Sequence, residues 1–215
     1  MCARRLRGSL EICERFRMPK TSLQFKCHSC NHCCTDVVCL PSPWDVKRIV
    51  KMIGAKPEEF LEFLSPEEIE GVEPDDPTWL DVDGERYLMA LKRHEVKGCH
   101  FLNRKTRLCS IYEARPLLCR LYPFKVIETK TGKYKGFTIH DDVGCPRHTD
   151  GEVAIAPLHD LYCQDEVNQD DYRELVEIFN AKKYPDKSPD DFVTMFMHGL
   201  NQFDGWAGVT ANGAK

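Results

Sequence analysis

The chain has 215 residues, with 42% hydrophobic and 30% charged side chains and a formal net charge of −4. Those values fit a globular protein with one good-sized core, and they exclude a polycationic nucleic-acid binder and an acidic disordered tail. The twelve cysteines are the anomaly: too many for an ordinary reduced enzyme, too few for a small disulfide-knotted domain.

Residues 1–17 carry basic side chains without a following apolar run or a small-residue cleavage site. They do not form a secretory signal and are expected to be a flexible N-terminal extension. No segment approaches the roughly 18 apolar residues that span a bilayer. The expected location is therefore a reducing cytoplasm, where clustered cysteines serve metal or redox chemistry rather than disulfides. A single domain is expected over 18–205, with C-terminal helices over 151–205 and a tail at 206–215.

Three helix starts share one local chemistry: Ser42-Pro43-Trp44-Asp45, Ser65-Pro66-Glu67-Glu68 and Ser188-Pro189-Asp190-Asp191. Each offers a serine N-cap, proline at the first helical position and acids in the first turn. The first leads into Val46, Ile49, Val50 and Ile53 and stops at Gly54. Residues 57–64 read as a further helix through Phe60, Leu61 and Leu64. Residues 79–82 and 86–91 flank an Asp83-Gly84 turn and predict a β-hairpin. Residues 126–128 and 137–139 predict a second, and 101–102 with 108–112 a third. Tyr172, Leu175, Val176 and Phe179, then Phe192, Met195, Phe196 and Leu200, form apolar stripes at helical spacing and are assigned to the core. The fold class is α+β, loop-rich and metal-pinned, with a helical C-terminal third.

Charge is uneven. Residues 57–77 hold nine acids and no base, and residues 92–135 hold twelve Lys/Arg against three Glu. The acidic run is a solvated surface. The basic block surrounds three cysteines, where it would offset the negative charge of a thiolate-bound metal.

The cysteines fall into two groups. The first is Cys27-His28-Ser29-Cys30-Asn31-His32-Cys33-Cys34. The C-x2-C-x2-C spacing is the one bacterial ferredoxins use for three corners of a cubane cluster, and the remote Cys145-Pro146 matches the fourth by analogy. Cys34, adjacent to Cys33, need not serve the same metal. The second group is Cys99, Cys109, Cys119 and Cys145, the first three separated by nine residues each. They lie in Cys99-His100-Phe101-Leu102 and in the long segment Cys109-Ser110-Ile111-Tyr112-Glu113-Ala114-Arg115-Pro116-Leu117-Leu118-Cys119-Arg120-Leu121-Tyr122-Pro123-Phe124.

With these residues the sequence resembles the CxxCxxCC (YkgJ-type) cysteine-cluster family from about Phe25 to Cys145, and more distantly the flagellin lysine methylases. The resemblance implies a zinc- or iron-chelating domain with Cys27, Cys30, Cys33, Cys34, Cys99, Cys109, Cys119 and Cys145 as its metal-site cysteines. It supplies no substrate. Arg115 and Arg120, within five residues of Cys119, are candidates to donate hydrogen bonds to the cluster or pair with thiolates. Cys2, Cys13, Cys39 and Cys163 are read as spare thiols, and His28, His32 and His100 as non-ligands.

The function expected is metal binding, with an iron–sulfur cluster of the 4Fe-4S type used in redox chemistry or as part of an enzyme. A zinc-stabilised structural or interaction protein is the alternative, and a protein lysine methylase a second. No nucleotide, S-adenosylmethionine, nucleic-acid or membrane motif is visible, and no protein partner can be named.

Overall fold

The computed structural model describes residues 21–94, 98–130, 134–140, 144 and 149–199. The expected extension and tail, together with Cys2, Cys13, Cys145 and Leu200, lie outside them. The described chain is α+β: small antiparallel sheets, with helix dominating the C-terminal part. It divides into two compact units, Met1–Cys39 with Arg93–Asn168 and Leu40–Lys92 with Gln169–Lys215.

The first unit contains every described cysteine. Its first strand, Ser22–Gln24, pairs antiparallel with Glu152–Ala154. Phe124–Glu128 pairs antiparallel with Tyr134–Ile139, extending in both strands beyond the 126–128 and 137–139 read from the sequence. The inward side chains of the pair, Tyr134 and Phe137, pack with Leu121, Ile155, Leu158 and Tyr162 in one buried cluster. The Phe25 ring meets Phe124 edge-on at 5.2 Å, which anchors the chain two residues before the first motif cysteine.

The second unit holds a three-stranded sheet in the order Leu61–Leu64, Glu85–Leu91, Leu80–Val82. The Asp83-Gly84 turn closes its hairpin, with φ values of 55° and 89°. The helix Pro43–Ile53 begins as predicted: Ser42 accepts from the Asp45 N–H, the Asp45 carboxylate accepts from the Ser42 N–H, and Gly54 ends the helix at φ 70°. At the start of Pro189–His198 the Asp191 carboxylate likewise accepts from the Ser188 N–H, at 2.8 Å, while the Asp191 N–H donates to the Ser188 carbonyl. Phe179 and Phe192 meet edge-on at 5.6 Å, and Phe179, Phe192 and Met195 are buried. No helix among the described residues is long and apolar enough to cross a membrane.

Two expected helices differ. Residues 57–64 split into one helical turn, Pro57–Phe60, and a strand, Leu61–Leu64. The strand pairs with residues 88–91 of the central strand, and pairing of apolar side chains across strands overrides the local propensity. At Ser65 the cap chemistry is present, since Ser65 N–H donates to the Glu68 carboxylate and Glu68 N–H to the Ser65 carbonyl. It closes only a turn. Gly71, at φ 79°, and Pro74 follow before a second apolar turn can form.

Candidate metal centre

The front motif curls because Ser29 and Asn31 take left-handed backbone angles, φ 52° and 68°. Asn tolerates that region better than most residues. The Asn31 carbonyl then accepts from the N–H groups of Cys34 and Thr35 and starts the short helix His32–Thr35. Cys27 is exposed, while Cys30, Cys33 and Cys34 are half-buried.

The Cys33 and Cys34 thiols lie 3.9 Å apart and share a hydrogen bond. That bond is the main influence holding Cys33 down to about 7; burial opposes it and the Arg115 guanidinium assists. Cys34 is pushed up by the same bond, then by burial, then by the charges of Cys33, Cys99 and Cys109.

Cys99 and Cys109 come to the same place on a folded-back segment. Leu102 and Cys109 form a β-bridge, and Ser110 N–H donates to the Phe101 carbonyl at 2.8 Å. Each sulfur accepts from the backbone amide two residues on, Cys99 from Phe101 and Cys109 from Ile111. Burial is the larger influence at both: it drives Cys99 up to about 11 and raises Cys109. Both also feel the charge of Cys119, Cys99 that of Arg93, and Cys109 those of Arg115 and Cys33. Cys119 rides on the short helix Leu117–Leu121. Five of the motif cysteines therefore share one electrostatic neighbourhood: Cys33, Cys34, Cys99, Cys109 and Cys119.

Arg115 stacks on the Tyr112 ring at 3.9 Å while its charge reaches Cys33 and Cys109. Arg120 donates to the Arg115 and Glu113 carbonyls and ties together the turn that carries Arg115.

Cys145 lies outside the described residues, but the chain on either side of it is tethered to the front motif. Gly144 N–H donates to His32 Nε2 at 3.0 Å. Asp150 lies 3.1 Å from the His28 imidazole and 3.6 Å from Lys26 Nζ. His32 meets Asp36 through its other ring nitrogen, so both of its nitrogens are engaged. His100 stacks against His94, ring centroids 5.9 Å apart.

Two residues of this neighbourhood are missed by the sequence. Cys39, read as a spare thiol, is buried and lies 3.5 Å from the Cys119 sulfur. Its only signal is its position five residues beyond Cys34. Arg93 donates from its two terminal nitrogens to the carbonyls of Thr35 and Val37. It belongs to the basic block, but nothing in that block marks it out. Cys163 also differs from expectation: it is disulfide-bonded rather than a spare thiol. The eight other described cysteines are not in disulfides.

The donor set is chemically suited to a thiophilic metal. It is a collection of sulfurs, backed by amide N–H groups and arginines that stabilise thiolate charge. Among the described residues no three His, Cys, Asp or Glu side chains already stand in the arrangement of one coordinated ion. The thiols are gathered rather than closed.

The family described as "Putative zinc- or iron-chelating domain", CxxCxxCC, matches residues 26–146. This covers more than half of the chain, and the chain belongs to that family. It is also similar to an uncharacterised protein, MJ0661, of Methanocaldococcus jannaschii, with 37% identity over 93 residues. The match spans 43% of each of the two chains. No solved structure matches.

Proposed function

We propose that the motif cysteines hold an iron–sulfur cluster of the 4Fe-4S type in a reducing compartment, the disulfide at Cys163 lying outside the motif. The observation that carries this reading is the convergence of Cys33, Cys34, Cys99, Cys109 and Cys119, five thiols from three separate segments in one electrostatic neighbourhood. Five thiols are enough for the four cysteine ligands that a cubane takes. Cys27, Cys30 and Cys145 are the further donors that this reading calls on. Together they supply the C-x2-C-x2-C and remote Cys-Pro pattern of cubane sites.

The protein's own contributions are electrostatic. The amides of Phe101 and Ile111 donate to the sulfurs of Cys99 and Cys109, and hydrogen bonds to sulfur are one lever that sets a cluster's potential. Arg115 and Arg93 offset negative charge at the thiolates. Arg120 holds the Arg115 turn in place. A bound cluster would supply one-electron chemistry or structural cross-linking.

The test is the metal and acid-labile sulfide content of protein purified without oxygen. Iron with a comparable amount of sulfide supports the cluster. Zinc without sulfide replaces it with the zinc reading, and neither metal refutes both.

A further inference from the structure

The geometry points to Cys39, which lies outside the eight cysteines of the family pattern, as a metal ligand paired with Cys119. The inference rests on metal binding by this family rather than on the cluster proposed above: it extends the ligands to a ninth thiol, at a single ion.

The two sulfurs are 3.5 Å apart. A disulfide holds its sulfurs at about 2.05 Å, so these two are not joined. Two thiolates bound at about 2.3 Å to one tetrahedral ion lie about 3.8 Å apart. The observed separation is therefore close to that of two ligands on one ion, and well beyond that of a covalent pair.

The placement is built rather than incidental. Cys39 is buried, 9% exposed. Arg93 grips the backbone just before it through the carbonyls of Thr35 and Val37, which fixes the path of the chain into residue 39. The charge of Cys119 is in turn felt at Cys99 and Cys109. A metal taking Cys39 and Cys119 thus has two further thiols of the same neighbourhood available to complete four. A buried thiol that only fills space has no need of a second thiol as its neighbour.

Cobalt(II) is the probe, added anaerobically to the reduced, metal-free full chain and to Cys39→Ser and Cys39→Ala variants. Thiolate-to-cobalt charge-transfer absorption counts sulfur ligands. Loss of one of four should lower it by about a quarter per bound ion. Affinity should fall at least tenfold in both variants, with the far-ultraviolet circular dichroism unchanged. If both variants misfold, wild-type protein loaded with an NMR-active cadmium isotope decides the matter. A cadmium–proton correlation to the Cys39 β-protons is expected, and its absence overturns the assignment. Unchanged charge-transfer intensity in folded variants also overturns it, as does a Cys39–Cys119 disulfide in metal-loaded protein. Those outcomes leave the broader metal reading standing. Failure of the wild type to bind cobalt or cadmium at all overturns the single-ion site, while the iron and sulfide measurement decides the cluster separately.

Discussion

Gly98 lies against the backbone of Cys34: a β-carbon at position 98 would stand 2.2 Å from the Cys34 carbonyl oxygen and 2.8 Å from the Thr35 α-carbon. The obstacle is backbone, not a movable side chain, and Gly98 itself sits at φ 75°. Gly98→Ala therefore carries both a left-handed backbone penalty and a steric one, together about 2–4 kcal/mol. Denaturant titration of the metal-free protein is expected to show that loss, with lower metal content in the protein as purified. An unchanged midpoint would mean that the segment next to Cys99 yields freely.

Arg93 reaches the carbonyls of Thr35 and Val37 with two nitrogens. A lysine keeps the charge but offers a single compact head in place of a planar fork. Arg93→Lys should cost about 1–3 kcal/mol. Amide exchange should accelerate in residues 32–39 before it does in the hairpin of residues 124–139. Uniform acceleration across the chain would show that the contact has no local role.

Removal of metal should loosen the cysteine unit specifically. The thiols are gathered but do not form a closed coordination sphere among the described residues, and binding energy at such a site is folding energy. Chelation, or oxidative loss of a cluster, should lower the melting temperature and open residues 26–146 to protease. Identical cleavage patterns with and without metal would make the metal a bystander.

Asn180 provides a control in the other unit. Its amide donates to the Trp79 carbonyl at 2.8 Å, and its oxygen accepts from the Asp81 N–H at 2.8 Å, so one side chain serves both partners of a strand end. Asn180→Ala should cost about 1–3 kcal/mol by stranding those groups, while metal stoichiometry stays at the wild-type value. A matching fall in metal content would contradict that separation.

What the sequence made legible was local chemistry. Ser42 and Ser188 announce their helices because capping is settled within four residues, and Asp83-Gly84 announces its hairpin for the same reason. Ser65 announces a cap that closes only a turn, because a cap cannot supply the apolar contacts that extend a helix. Residues 61–64 were lost to a partner strand about 27 residues away in the sequence. The motif cysteines could be read because their spacing is itself the signal. Cys39 and Arg93 could not, since the partners that define them, Cys119 for one and Thr35 and Val37 for the other, are separated from them by 80, 58 and 56 residues.

The Arg93 contact has a topological consequence. The chain leaves the cysteine unit after Cys39 and re-enters it at Arg93, and the Arg93 guanidinium fastens the departing strand of chain to the returning one. Closure entropy grows only with the logarithm of loop length, so bringing Thr35 and Val37 to Arg93 costs nearly the same however many residues intervene. Residues 40–92 are themselves constrained, since they share a compact unit with Gln169–Lys215. The Arg93 contact instead fixes the approach of the segment ending at Cys39 to the one that leads into Cys99.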